Sequence, residues 1–193
     1  GAGQVTQSGG ASVTYNASYY SLLGPGAPPE GFDSTVIKYA AGSFQFIALA
    51  PLTRTWTGAS SPNWSDAGNW IEGALNNNNP LTFSTVANQP MNDDVSGYSA
   101  AGVTFTSGGF TLSGDDLTNT DRLVSQAGAN TINLNLTLTG TGTQIEVDAG
   151  TLTVNGKISA PLPAAGYQFV TKSGDGTLIL NGVNDFQSGM IVN

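Results

Sequence analysis

From Val103 onward the sequence keeps repeating one short phrase: a few strand-forming residues, a Gly/Asn/Asp turn, and the phrase again. It reads Val103-Thr104-Phe105, then Phe110-Thr111-Leu112-Ser113-Gly114, then Ile132-Asn133-Leu134-Asn135-Leu136-Thr137-Leu138-Thr139-Gly140. It continues as Gly150-Thr151-Leu152-Thr153-Val154-Asn155-Gly156 and Gly176-Thr177-Leu178-Ile179-Leu180-Asn181-Gly182. A unit this short cannot bury an apolar face alone. It does so by stacking on its neighbours, which predicts a β-solenoid. A solenoid is first an architecture, so any catalytic claim needs a site argued on its own residues.

Composition agrees with that class. Only 9% of the 193 residues are charged, so solubility rests on Ser, Thr, Asn and Gly, which suit strands and turns and disfavour helices. No segment has helical periodicity. The net charge is −8, and the five basic residues Lys38, Arg54, Arg122, Lys157 and Lys172 are scattered. Without a basic stripe, neither nucleic acid nor anionic lipid is an expected partner. His and Cys are both absent, which removes Ser-His-Asp and Cys-His catalysis and the usual zinc, copper and haem ligand sets. The longest apolar stretch, residues 44–52, is too short for a membrane span and contains Pro51.

Along the chain, residues 1–53 read as an N-terminal β module. Ser34 to Tyr39 and Gly42 to Leu49 form an expected hairpin around Ala40-Ala41-Gly42, after a Pro/Gly loop at residues 24–31. Residues 54–85 hold all three tryptophans and read as a Trp-rich joint. Residues 86–193 read as the solenoid, with one loop excursion at residues 161–166.

Residues 172–193, from Lys172-Ser173-Gly174-Asp175-Gly176-Thr177-Leu178 through Asn184, Phe186 and Gly189 to Val192-Asn193, resemble the autotransporter-associated β-strand repeat. Thr55-Trp56-Thr57-Gly58 followed by Asn63-Trp64-Ser65-Asp66-Ala67-Gly68-Asn69-Trp70 looks like the module opening of large secreted proteins of that type, a looser match. Together they cover about a quarter of the chain. The resemblance implies a right-handed parallel β-helix on a secreted, extracellular or cell-surface bacterial protein. The family repeat is structural and has no catalytic residues to carry over.

The ends carry a further expectation. The repeat stops at Ile191-Val192-Asn193, and Gly1-Ala2-Gly3-Gln4-Val5 reads as its continuation, with Asn193-Gly1 as the turn. Two readings fit: a piece of a longer array, or a subunit whose last rung meets the first strand of the next copy. Gln4, Val5, Met190, Ile191 and Val192 are therefore the candidates for self-association.

Other candidate residues also have plainer readings. Asp93-Asp94 and Asp115-Asp116 are the adjacent carboxylate pairs that a polysaccharide lyase or hydrolase would need, and both sit in turn-like sequence. Residues 115–121 offer hard oxygens for calcium, without EF-hand or β-roll spacing, and read as a polar loop. Trp56, Trp64 and Trp70 form either a sugar-binding platform or a compact aromatic cluster, and their close spacing favours the cluster. Asn69 and Asn76 to Asn79 are candidates for an amide ladder. The expectation is thus an all-β, right-handed parallel β-helix with an N-terminal β module, acting as a structural protein that polymerises head to tail with copies of itself. A glycan-binding adhesin is the alternative. No catalytic, cofactor or metal residue is assigned.

Overall fold

The computed structural model describes residues 52–119, 122–139, 144–161 and 169–193, together with the backbone of four strands in residues 1–51. The chain divides into two compact units, Gly1–Pro51 and Leu52–Asn193. In the first unit β1 (Gly3–Thr6) pairs antiparallel with β2 (Ser12–Tyr15), and β3 (Thr35–Ala40) with β4 (Ser43–Ala48). The β3–β4 register sets Ala40 opposite Ser43, which is the hairpin expected there. The loop expected at residues 24–31 lies outside the described residues.

The second unit is a parallel β-solenoid. Each full coil lays down three short strands, one on each of three faces. On the first face the order is β10 (Leu117–Asn119), β13 (Leu136–Leu138), β16 (Ile158–Ala160) and β19 (Asp185–Phe186). On the second it is β11 (Leu123–Ser125), β14 (Gln144–Val147), β17 (Val170–Ser173) and β20 (Met190–Val192). The third face stacks β7 (Met91–Asp93), β9 (Thr111–Gly114), β12 (Ala129–Ile132), β15 (Thr151–Val154) and β18 (Thr177–Leu180), five coils deep.

Near the start of the solenoid the first two faces are one strand. The long β8 (Ser99–Phe105) pairs with β10 through its first residues and with β11 through its last, so the two faces join into a single eleven-stranded sheet. The parallel ladder begins at Arg54. There β5 (Arg54–Trp56) pairs with β6 (Asn79–Phe83), and β6 pairs with β8. The segment 54–85, expected as a joint, therefore contributes strands to the same sheet as residues 86–193. Its large aromatic side chains fill the interior of the first coil. The excursion expected at residues 161–166 falls between β16 and β17, and residues 162–168 lie outside the described residues.

Alternation does the sorting within each strand. In Leu136-Thr137-Leu138 both leucines are buried and the threonine is not, as a two-residue period requires. Parallel register then turns inward residues into columns. One runs Met91, Leu112, Ile132, Val154, Leu180. A second runs Arg54, Leu81, Val103, Leu123, Ile145, Lys172, Val192. Each fully buried aliphatic side chain in such a column contributes roughly 1.5–3 kcal/mol of transfer free energy. One turn of 3-10 helix, Ala67–Asn69, is the helical element of the described residues, and no helix there is long and apolar enough to cross a membrane.

Candidate functional site

The two ends of the solenoid differ. At the N-terminal end the chain folds back over β5. Trp70 bridges Trp56 in antiparallel sense, Ile71 N–H donates to the Thr55 carbonyl at 3.0 Å, and Thr57 N–H donates to the Asn69 carbonyl at 2.7 Å. The Glu72 carboxylate accepts from Thr55 N–H at 2.7 Å and from its hydroxyl at 3.1 Å. An antiparallel crossing occupies the outer edge of β5, so the parallel ladder stops there.

The residues between the tryptophans build this turn. Asp66 accepts from Gly68 N–H and caps the 3-10 turn. The buried Asn69 amide accepts from Ser60 N–H and Ser61 N–H and donates to the Asn63 carbonyl. Trp56, Trp64 and Trp70 are all buried, packed edge to face with centroids 5.1 Å (Trp56–Trp70) and 5.9 Å (Trp64–Trp70) apart. Trp64 also lies against Phe83 and Tyr98, and Trp70 Nε1 donates to the Trp64 carbonyl at 2.9 Å. Buried in this way, the three indoles present no flat platform to a sugar ring.

At the C-terminal end the last coil has a strand on the first face, β19, and one on the second, β20, while the third face stops one coil lower at β18. The consequence is visible in exposure. Leu152 and Val154 in β15 are fully buried, but Leu178 and Leu180, directly above them in β18, are half-buried. Val192 is 71% exposed. Between β18 and β20 opens a cavity of about 300 Å³ lined by Lys172, Gly176, Leu178, Leu180, Met190 and Val192. Lys172 points inward and is buried, and its ammonium donates to the Gly174 carbonyl. Among the described residues β18, β19 and β20 each pair along one edge.

Along the outside of the third face an amide ladder reaches this end. Asn133 Nδ2 donates to the Ser113 hydroxyl at 3.2 Å. Asn155 Nδ2 donates to Asn133 Oδ1, and Asn181 Nδ2 to Asn155 Oδ1, each at 2.8 Å. Every rung donates toward the N-terminal end, which leaves the acceptor oxygen of Asn181 on the C-terminal side.

Of the expected self-association residues, Met190, Ile191 and Val192 form β20, the terminal strand of the eleven-stranded sheet. Gln4 and Val5 lie on β1, paired with Thr14 and Val13 of β2. Sequence reasoning did not reach Lys172, Leu178 and Leu180 as cavity residues, nor the ladder. Asn-Gly at 155–156 and again at 181–182, each closing a strand, is the signal that marks the ladder. Asn76 and Asn79 serve a local turn instead, where Asn79 Oδ1 accepts from Asn76 N–H and from Arg54 Nε.

Asp93, Asp94 and Asp115 lie near one another, and Asp115 N–H donates to the Asp93 carbonyl at 2.7 Å. Asp93 is buried, its Oδ1 accepts from Val95 N–H at 3.0 Å, and its Oδ2 has no partner. Burial pushes its carboxyl up to about 7, against the Val95 bond and with help from Asp115 and Asp94. At Asp94, burial acts to raise the pKa, but the Ser65 hydroxyl and N–H at 2.6 and 2.8 Å outweigh it and hold the carboxyl below its usual range. Asp116 accepts from Asn135 Nδ2. No group of three or more acidic residues is placed to hold a metal among the described residues, and the calcium candidate at residues 115–121 falls partly outside them. No family model, curated protein or solved structure matches this chain.

Proposed function

We propose that the protein is a structural element of a bacterial surface, a β-solenoid whose C-terminal coil accepts strands from a second copy and so builds a head-to-tail fibre. The observation that carries this is the asymmetry of the ends: a fold-back over β5 at one, and half-buried Leu178 and Leu180 above an unfilled cavity at the other. Free strand edges over an apolar interior are the features that strand addition uses. Such a contact joins unlike surfaces, and one that does not close into a ring propagates. The resemblance of residues 172–193 to a secreted β-strand repeat supports the surface location.

Sedimentation velocity and negative-stain microscopy of the purified chain test this. Fibres or a concentration-dependent oligomer series are expected. Val192→Asp, an exposed substitution at the proposed contact, should give particles of single-copy mass with an unchanged β circular-dichroism spectrum. Single copies of the unsubstituted chain at all concentrations would remove the assembly function.

A further inference from the structure

Among the described residues the last coil has strands on its first and second faces, and a strand added on its third would lie on β18. Glycine recurs at the Gly176 position in the coils below, as Gly150, Gly128 and Gly108, and three glycines flank β18. A Cβ at Gly174 would lie 2.3 Å from the Val147 carbonyl oxygen, one at Gly176 would lie 2.6 Å from Val147 Cγ1, and one at Gly182 would lie 2.3 Å from the Gly156 carbonyl oxygen. Each turn residue sits on the backbone or packed side chain of the coil below, and no larger residue fits. Residues 174–182 read Gly-Asp-Gly-Thr-Leu-Ile-Leu-Asn-Gly, and residues 1–9 read Gly-Ala-Gly-Gln-Val-Thr-Gln-Ser-Gly. Without a gap, Gly1, Gly3 and Gly9 fall on Gly174, Gly176 and Gly182, and neither stretch contains another glycine.

We infer that residues 1–9 of a second copy form the missing strand of the last coil, with Gln4 over Thr177 and Val5 over Leu178. This rests on the assembly proposed above and names the segment and register that make it. The backbone pattern of the coils below sets the bonds. Thr177 N–H donates to the Gly150 carbonyl and Asn181 N–H to the Val154 carbonyl, so Gln4 N–H meets the Gly176 carbonyl and Ser8 N–H the Leu180 carbonyl. Val5 falls over Leu178, which lines the cavity. Ser8 falls over Asn181, at the C-terminal end of the ladder that has Ser113 at its other end. Gln7 is the polar residue at an inward position, over Leu180. Leu180 lines the same cavity as Lys172, whose ammonium has donors beyond the one given to Gly174. The described strand β1 spans Gly3–Thr6 of this segment and is paired with β2 along one edge. Its other edge is the one that adds to β18.

The chain has no cysteine, so introduced pairs report cleanly. Thr177 and Ile179 are exposed on the outer face of β18 and tolerate substitution. Stacked residues on adjacent strands are within the roughly 4.4–6.8 Å Cα separation that a disulfide spans. Single variants are mixed, oxidised and run on a non-reducing gel, so that only links between copies appear. Gln4→Cys with Thr177→Cys, and Thr6→Cys with Ile179→Cys, should each give a covalent dimer band. The crossed pair Gln4→Cys with Ile179→Cys should give at least tenfold less. Oligomers by sedimentation with no such bands, or with bands in the crossed register, overturn this inference and leave assembly standing. Single copies throughout overturn both.

Discussion

Asp93 and Asp94 are neighbours in sequence with opposite effects on stability, and pH separates them. Asp93 is an inward residue of β7 with an unpartnered Oδ2, and its folded pKa is about 7 against an ordinary 3.8. Below pH 3.8 it is protonated in both states and imposes no penalty. Between 3.8 and about 7 the unfolded chain releases the proton while the folded chain keeps it, so stability falls as pH rises. Above 7 the folded protein holds a buried carboxylate and the penalty is complete. At about 1.36 kcal/mol per pH unit the rise corresponds to roughly 4 kcal/mol, and structural relaxation around the charge reduces it to about 2–4 kcal/mol. Asp93→Asn keeps an acceptor for Val95 N–H and removes the titration. Urea unfolding of both proteins at pH 4.5 and pH 8 isolates the effect, because the other acids cancel in the difference between variants. Asp93→Asn should gain about 1.5–3 kcal/mol relative to the parent on going from the acid to the alkaline buffer, since about a quarter of the penalty is already present at pH 4.5. An equal pH dependence in the two proteins refutes the assignment of Asp93 as a buried, reluctant acid. Asp94→Asn should move the other way. Its folded pKa is lowered, so its contribution is present above the ordinary carboxylate range and is lost as pH falls through the folded value.

Asn119 lies inward with neither side-chain atom hydrogen-bonded, in register with Ala100 below and Leu138 above. Asn119→Leu should raise stability by about 1–3 kcal/mol, since a buried unsatisfied amide is replaced by the residue type above it, and a fall in the thermal midpoint would contradict this. Asn155→Ala removes a donor and an acceptor from the exposed ladder and should cost about 1–2 kcal/mol in urea unfolding, whereas no change would mean the ladder is decorative. Gly156→Ala would set a Cβ 2.0 Å from the Leu134 carbonyl oxygen, a backbone atom of the coil below. It should lose about 3 kcal/mol or fail to accumulate as folded protein, and a neutral effect would show that the coils are not stacked this closely.

What the sequence makes legible is what depends on neighbours along the chain. The period of two in Leu136-Thr137-Leu138 and in Thr151-Leu152-Thr153-Val154 fixes strand and inward face together, and the glycine turns fix where strands end. What it hides depends on which residue lies over which. Residues 54–85 contain the same short strands as the rest, but their membership in the ladder is decided by Arg54 meeting Leu81 and Trp56 meeting Phe83, pairings between distant residues. Asp93 follows Asn92 in what reads as a turn, and only the pairing of Met91 with Leu112 turns it inward. A register slip of one residue would exchange every inward and outward side chain, so composition alone cannot place such residues.

The column through the second face gives this a direction. Its interior members, Leu81, Val103, Leu123 and Ile145, are apolar and buried, with a coil pressing on each side. Cations flank them: Arg54 below and Lys172 above. Arg54 is held by the Asn79 side chain at the start of β6 and by the Glu72 carbonyl of the fold-back over β5. Lys172 has the Gly174 carbonyl and the cavity. A long cationic side chain is tolerable at an inward position only where its head can reach a polar group or water. Lys172 meets that condition in the last coil but one, where its ammonium reaches the Gly174 carbonyl beside the cavity, as Arg54 meets it in the first strand of the ladder.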